Sequence, residues 1–422
     1  MSLFLIPFAS GAAFLLSFLL FFHPLRQNIK ANQWLGFFVS IIGFAFISTY
    51  LLVTGKSLSH DVLFKFATSL QFLLAPALYI SVIYFAKPAK SFSVKDLNHF
   101  TPFFIYSLAE MIWLPGKQSI STRTLFQIND RVSFLVRDLL PFLLLFYLAR
   151  CYLTLLKHRL NVRLISATTE RVDLGWLMQF LFILLVTVII WINDAFFELP
   201  LLTGATPFVY AGSLFFLAYF AIRQQTIFPY GTSQLLEISQ VFEVEQPEPS
   251  KITGSEKPAA PKLFSNPVLP VNSTSIPLEN DDLSGIALKE KTPASRLTGE
   301  QITTLSAKLI ALMEHDRLFL DNNLNLPAVA EKLGISIHES SFLVNKTTGG
   351  NFYHFINTYR VEEAKKLIGS ARIDELNMLG IAFASGFNSK TTFNTTFKKF
   401  VGISPTGYSK QLKNSQESCS DG

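Results

Sequence analysis

The chain has little cysteine and little charge. It contains two cysteines in 422 residues, Cys151 within an apolar segment and Cys419 near the carboxy terminus. Two cysteines so placed provide neither a disulfide framework nor the spaced ligands of a zinc site. No His, Ser or carboxylate pattern has a catalytic spacing, so we expect a protein that is not an enzyme and has no metal or other cofactor.

Charged residues are 16% of the chain, whereas hydrophobic residues are 50% and 42 residues are Phe. These averages combine two unlike regions, because long apolar segments end near Arg223 and the remainder is polar. The net charge of +6 is small, and much of it lies between apolar segments. Only a local excess of positive charge could therefore indicate a nucleic-acid partner.

Seven apolar segments precede the polar region, and each is near the roughly 20 residues that cross a bilayer as a helix. The fourth and the seventh are short. No Lys or Arg precedes the first segment and Arg26 follows it, which favours an uncleaved span over a secretory signal. The segments are approximately 3–22, 34–54, 62–86, 97–114, 132–155, 174–197 and 206–222.

The loop charges predict the orientation of these spans. One side carries eleven positive residues: Arg26, Lys30, Lys87, Lys90, Lys95, Arg150, Lys157, Arg159, Arg163, Arg171 and Arg223. The other side carries four: Lys56, Lys117, Arg123 and Arg131. By the positive-inside rule, the amino terminus is outside and the carboxy-terminal region is in the cytoplasm.

Six ionisable residues lie within or at the ends of the spans, all towards the outer side. Charges at membrane depth usually pair or line a wet cavity. One interpretation is an outward-facing pocket that receives a small-molecule or envelope signal. The other is a set of side chains that reach the interface or form a structural ion-pair network. The residues are Lys65, Glu110, Arg137, Asp138, Asp194 and Glu198.

Residues 228–297 are rich in Pro, Ser, Glu, Lys and Asn. Such a segment buries too little apolar surface to offset its ordering entropy, so we expect most of it to be a flexible linker. Within it, one short helix is predicted from Thr232 to Val244. A flexible chain of this length has an r.m.s. reach of roughly 45 Å.

Two helix–turn–helix patterns follow in tandem, joined by a long helix that Gly369 can end. Thr298 and Gln301 resemble a capping box that starts the first helix of this region. Gly334 and Gly386 supply the left-handed residue that tight turns favour. We expect these helices to fill residues 298–413, before a disordered tail at 414–422.

The last helix of the second pattern has two unlike faces. Asn388 or Ser389 can cap it, and Phe393, Phe397 and Phe400 recur at helical spacing. From Asn377 to Lys413 there are five lysines and no Asp or Glu, so a phosphate backbone could bind there. An ordinary amphipathic helix with a solvated lysine face is the alternative. The polar face carries Lys390, Thr391, Asn394, Thr395 and Lys398.

Three motifs, AVAEKLGIS, TGGNFYHFINTYRVEEAKKLI and GFNSKTTFNTTFKKFVGISPTGY, resemble the AraC/XylS family of transcription regulators. The resemblance covers about 115 residues and implies two reading units whose helices enter successive major-groove segments. It implies promoter DNA and RNA polymerase as partners, and two cooperating copies. The base-facing positions fall on His338, Ser341, Phe342, Lys390, Thr391, Asn394 and Thr395, with Asn345 following on the first helix and Lys346, Lys398 and Lys399 suited to phosphate.

The sequence departs from the family pattern at three positions. Ser340 stands where a buried leucine is usual, Phe342 where a long polar residue is usual, and Ser385 where the family is usually apolar. Phe342 could contact a thymine methyl group. Alternatively, the helix rotates so that Phe342 fills the space left by Ser340, which is the arrangement we expect.

These patterns predict an all-α protein with four parts: a seven-helix transmembrane bundle at 1–227, the linker, the paired helix–turn–helix domain and the tail. The function they indicate is a membrane-anchored, sequence-specific DNA-binding transcription regulator. A seven-helix receptor or transporter whose helix–turn–helix domain docks a protein is the main alternative. An enzymatic membrane region is a third and weaker one.

Overall fold

The computed structural model of the chain is helical, and the part of the chain that it describes contains no strand, as the predicted all-α class requires. Contacts divide the chain into two compact units, Met1–Val162 with Thr169–Leu236, and Arg163–Thr168 with Glu237–Gly422. The structure describes residues 2–23, 28–56, 61–112, 140–168, 174–197, 199, 206–223, 230–244, 297–370 and 376–420.

The first unit is built from apolar helices. A 3-10 turn, Leu70–Leu73, joins the third helix to the fourth. A second one, Val94–Phe100, precedes the fifth helix, and a π-helical turn, Asn193–Phe197, follows the seventh. The helices are α1 (Ser2–Phe21), α2 (Ile29–Val53), α3 (Asp61–Ser69), α4 (Leu74–Ala86), α5 (Thr101–Ile112), α6 (Leu140–Ile165), α7 (Gly175–Ile192) and α8 (Thr206–Arg223).

Within the described ranges, five helical segments are long and apolar enough to cross a membrane. They coincide with the first, second, third, fifth and sixth predicted spans, and α3 and α4 together form the third. The other two predicted spans coincide with shorter apolar stretches, α5 with 12 residues and Ala211–Phe220 within α8.

Small residues bring α1 and α2 close together. Ser17 Oγ donates a hydrogen bond to the carbonyl of Gly36 at 2.8 Å, and Ser10 Oγ donates to the carbonyl of Gly43 at 3.0 Å. A Cβ at Gly43 would lie 3.0 Å from the Phe14 ring. Burial of apolar surface adds little to the association of helices in lipid. Close contacts at small residues and interhelical hydrogen bonds are the interactions that hold helices together there.

The second unit contains the tandem helix–turn–helix arrangement. The short helix predicted from Thr232 to Val244 is confirmed and begins within the first unit. Residues 228, 229 and 245–296 of the predicted linker lie outside the described residues. The helices are α9 (Thr232–Val244), α10 (Gly299–Glu314), α11 (Leu326–Leu333), α12 (Ile337–Thr348), α13 (Phe352–Gly369), α14 (Met378–Ala384), α15 (Lys390–Val401) and α16 (Pro405–Ser420).

The predicted tail requires a correction. Helix α16 continues to Ser420, so residues 414–420 are helical and only residues 421 and 422 lie outside the described range. The segment Lys410–Ser420 contains neither Gly nor Pro. Because these are the residues that most strongly stop a helix, the last helix continues past the predicted boundary.

Side-chain caps set the starts of the helices in the second unit. Thr298 and Gln301 form the predicted capping box at α10. Ser389, one of the two predicted candidates, caps α15 by accepting a hydrogen bond from the Thr392 amide at 3.1 Å. Such caps satisfy backbone donors that a helix leaves unpaired and contribute about 1 kcal/mol each.

The connecting helix α13 holds the second reading unit through a continuous apolar core. Phe387, Phe393 and Phe397 are fully buried in it. Met378, Phe400 and Tyr408 pack at its edge. The remaining buried members are Val361, Ala364, Leu367, Ile368, Ile381 and Ala382.

Among the described glycines, Gly386 has the least space for a side chain. Its φ is +87°, as the sequence predicts, and a Cβ there would overlap the carbonyl oxygen of Phe319 and lie 2.9 Å from the Cα of Leu320. Gly334 occupies the corresponding turn of the first reading unit, with φ +74°. No atom lies within 4 Å of a Cβ built at Gly334.

These glycines form a matched pair for mutation. Gly334→Ala should cost about 1–2 kcal/mol, since only the left-handed backbone is strained. Gly386→Ala should cost a further 1–3 kcal/mol or so, because backbone atoms must move. Proteolytic cleavage of the second unit in increasing urea would measure both changes, and equal losses at the two positions would contradict the close approach.

Candidate nucleic-acid interface

Helix α15 is placed so that its polar face is free. Its N-cap follows the Gly386 turn, and Phe393 and Phe397 anchor the opposite face in the core. The side chains that the sequence assigns to base contact are consequently exposed. They are Lys390, Thr391, Asn394 and Thr395, with Lys398 one turn further on.

A groove of about 800 Å³ runs along this exposed face. Its lining includes three lysines and no acidic residue. Hydroxyl and amide groups lie between the lysines, so the groove combines donors for base edges with cations for phosphate. The lining residues are Met378, Lys390, Asn394, Thr395, Lys398, Lys399, Gly402, Ser404 and Thr406.

Lys398 and Lys399, both predicted to contact phosphate, have different surroundings. The Lys399 ammonium lies 5.7 Å from the centre of the Tyr353 ring. Partial burial and the nearby Arg163 guanidinium lower the pKa of Lys399 below its usual value. Because Lys399 already lies against an aromatic ring, we expect Lys398 to be the more available of the two for a phosphate contact.

The first reading unit exposes fewer of its predicted contacts. His338, Phe342 and Asn345 on α12 are half-buried, and Lys346 is exposed. Ser341 is 4% exposed. Its base-facing role stays a prediction.

The departures from the family pattern have separate outcomes. Ser340 is fully buried, and its hydroxyl has no hydrogen-bond partner among the described atoms. Phe342 is half-buried. Its filling of the space left by Ser340 stays a prediction. Ser385 is also fully buried, but its hydroxyl donates to the carbonyl of Ile381 at 2.7 Å.

The outward-facing pocket stays a prediction. Lys65 is half-buried on α3. Arg137, Asp138 and Glu198, and the side chains of Glu110 and Asp194, lie outside the described residues. The structure therefore brings none of the six together in its described part.

A polar cluster in the first unit was not predicted from the sequence. His99 Nδ1 and the Tyr147 hydroxyl share a hydrogen bond of 2.9 Å, and Arg150 donates to the Tyr79 hydroxyl at 3.0 Å. These side chains come from segments 48 and 71 residues apart, so no local spacing could reveal them. In the described ranges, no group of three or more His, Cys, Asp or Glu residues could hold a metal ion.

Comparison with known proteins identifies the carboxy-terminal region only. Residues 329–411 match the family model of a helix-turn-helix domain. Uncharacterized HTH-type transcriptional regulators of Staphylococcus aureus strains COL and N315 are each 32% identical to the chain over 101 residues. The match spans 24% of this chain and 13% of each relative. No solved structure matches the chain.

His354 should give the second unit a pH-dependent stability. Burial lowers the pKa of His354, and the positive charge of Lys399 lowers it further. The unfolded chain therefore binds a proton at higher pH than the folded chain, so stability should fall as pH drops below about 6.5.

The test compares urea midpoints at about pH 7 and about pH 5.5, the range in which an ordinary histidine titrates. His354→Gln should make the difference between the two midpoints smaller. An unchanged difference in that variant would assign the pH dependence to other groups.

Proposed function

We propose that the chain is a membrane-anchored transcription regulator that reads promoter DNA with an AraC/XylS-type pair of helix–turn–helix units. The groove along α15 carries this proposal. Its three lysines, with Asn394 and Thr395 between them and no acid in the lining, lie on the second helix of a helix–turn–helix unit. That helix is the one that enters the major groove in proteins of this architecture.

The two reading units have different roles in this proposal. The second reading unit, with its exposed lysine and amide groups, supplies most of the sequence discrimination. The first, with Ser341 buried and Phe342 in place of a polar residue, contributes less. Promoter DNA, RNA polymerase and a second copy of the chain are the proposed cytoplasmic partners.

The apolar region is proposed to anchor the regulator in a bacterial inner membrane through seven spans. Five helices have the required length and apolarity, and α5 and α8 supply the shorter fourth and seventh. The amino terminus lies outside, where a small-molecule or envelope signal could act, and the reading units lie in the cytoplasm. The chain catalyses no reaction in this proposal.

A protein-docking role is the second candidate. Leu379 is 40% exposed and Phe383 is 52% exposed on α14, one turn apart, which places two apolar side chains on one surface of the second reading unit. Exposed apolar groups of this kind suit a protein partner. This role would make DNA binding weak and insensitive to changes in the α15 groove.

Substitutions on α15 should separate base reading from phosphate binding. Lys390→Ala and Asn394→Ala should each reduce discrimination between operator and unrelated DNA by about 1–3 kcal/mol. Lys398→Ala should instead weaken all sequences alike and reduce the salt slope by about one unit.

Binding by the full chain in lipid nanodiscs, measured by fluorescence anisotropy at several salt concentrations, gives both quantities. The duplexes are an operator selected from genomic fragments and a scrambled version of it. Operator preference that survives Lys390→Ala combined with Asn394→Ala would favour the protein-docking role.

A further inference from the structure

Glu237 of α9 contacts the start of the first recognition helix. Its Oε2 accepts a hydrogen bond from the backbone amide of Ile337, the first residue of α12, at 3.0 Å. Ser336 and Glu339 already satisfy two further amides of this helix end through a capping box. The added carboxylate therefore occupies a remaining donor at the positive end of α12.

Backbone amides at a helix start are also favoured donors to phosphate. In protein–DNA complexes, such helix ends position the protein on the phosphate backbone. A carboxylate oxygen and a phosphate oxygen cannot both accept from the Ile337 amide, and their negative charges repel each other. A phosphate at this helix end would therefore have to displace Glu237 from the Ile337 amide.

A second segment touches the same reading unit. Asn357 on α13 donates to the carbonyl of Ala167 at 3.0 Å, and Thr168 Oγ donates to the carbonyl of Asn322 at 3.2 Å. Ser166 forms an isolated backbone bridge with Asn325, the N-cap of α11. Residues 166–168 thus contact the segment that leads into the first reading unit, and they also contact the helix that connects the two reading units.

Both contacting segments are continuous in sequence with the apolar region. Ser166 directly follows α6, and Glu237 lies on α9, which begins soon after α8. Both nevertheless belong to the compact second unit through their contacts. The two segments together constitute a pair of tethers on one reading unit.

We propose that Glu237 and the segment Arg163–Thr168 form an autoinhibitory clasp that lowers affinity for DNA. Glu237 occupies the first amide of the first recognition helix. The segment holds Asn322 and Asn325, which precede that helix, and Asn357 on the connecting helix. This inference rests on the proposed DNA-binding function. Release of the clasp frees the Ile337 amide for a phosphate. The membrane region would then control DNA binding by altering the two segments that continue into it.

The test uses the full chain in lipid nanodiscs and a duplex that the wild-type chain selects from random DNA. Glu237→Ala should bind this duplex about tenfold more tightly, a change within the usual range of coupling between sites. Glu300→Ala is the matched control, since Glu300 is an exposed acid in the first turn of α10. It removes the same charge from the same unit and should change affinity less than about twofold.

Thr168→Val tests the second contact without changing the end of α12. It removes the hydrogen bond to Asn322 and should tighten DNA binding in the same direction by a smaller factor. Size-exclusion elution and far-ultraviolet circular dichroism, compared with wild type, confirm that each variant is folded.

The outcomes separate the two proposals. Salt-dependent DNA binding by the wild-type chain, with tighter binding by Glu237→Ala but not by Glu300→Ala, supports the clasp. Equal binding by the wild type and by both clasp variants overturns the clasp and leaves the DNA-binding function intact. Absence of DNA binding in every variant overturns the proposed function, and the clasp with it.

Discussion

The arrangement of the two reading units depends on one buried cation. Arg360 on α13 is fully buried, and its guanidinium donates hydrogen bonds of 2.7 Å to the carbonyls of Phe319 and Asp321. It also lies 5.9 Å from the centre of the Phe387 ring, at the turn of the second unit. Burial lowers the pKa of Arg360 to about 10, and the carbonyl partners offset much of the cost of removing the charge from water. The Arg360 side chain thereby connects the segment before the first reading unit to the turn of the second reading unit.

Local sequence was sufficient to predict the elements of the second unit. The capping box at Thr298, the turn at Gly386 and the Phe face of α15 each depend on residues within a few positions of one another, and all three are observed. The same locality explains the exposed face of α15, since two phenylalanines in the core leave the opposite side in solvent. The extent of α16 was not predicted, although residues 410–420 contain no helix breaker.

Contacts between distant segments could not be predicted in the same way. The hydrogen bond between Asn357 and Ala167 joins residues 190 positions apart, and the one between Glu237 and Ile337 joins residues 100 apart. Neither pair has a local pattern to mark it. The burial of Ser341 has the same character, because it depends on tertiary packing and not on helical phase alone. Helical phase gives the direction of a side chain, whereas its exposure also depends on what packs over it.

A signal could pass from the apolar region to the reading units by two routes. One is the predicted linker and the other is the proposed clasp. A flexible linker with a reach of roughly 45 Å transmits no rigid rotation. Through it alone, the proposed membrane region could act by dimerisation, by local concentration, by covering the DNA-binding domain or by cleavage of the linker. The segment Arg163–Thr168 provides a much shorter covalent path, because α6 continues directly into it. A small displacement at the end of α6 would therefore act directly on Asn325, at the start of the first reading unit, and on Asn357 in the connecting helix. A direct path of this kind needs a change only in the population of a bound and a released state, which differential contacts of a few kcal/mol can provide.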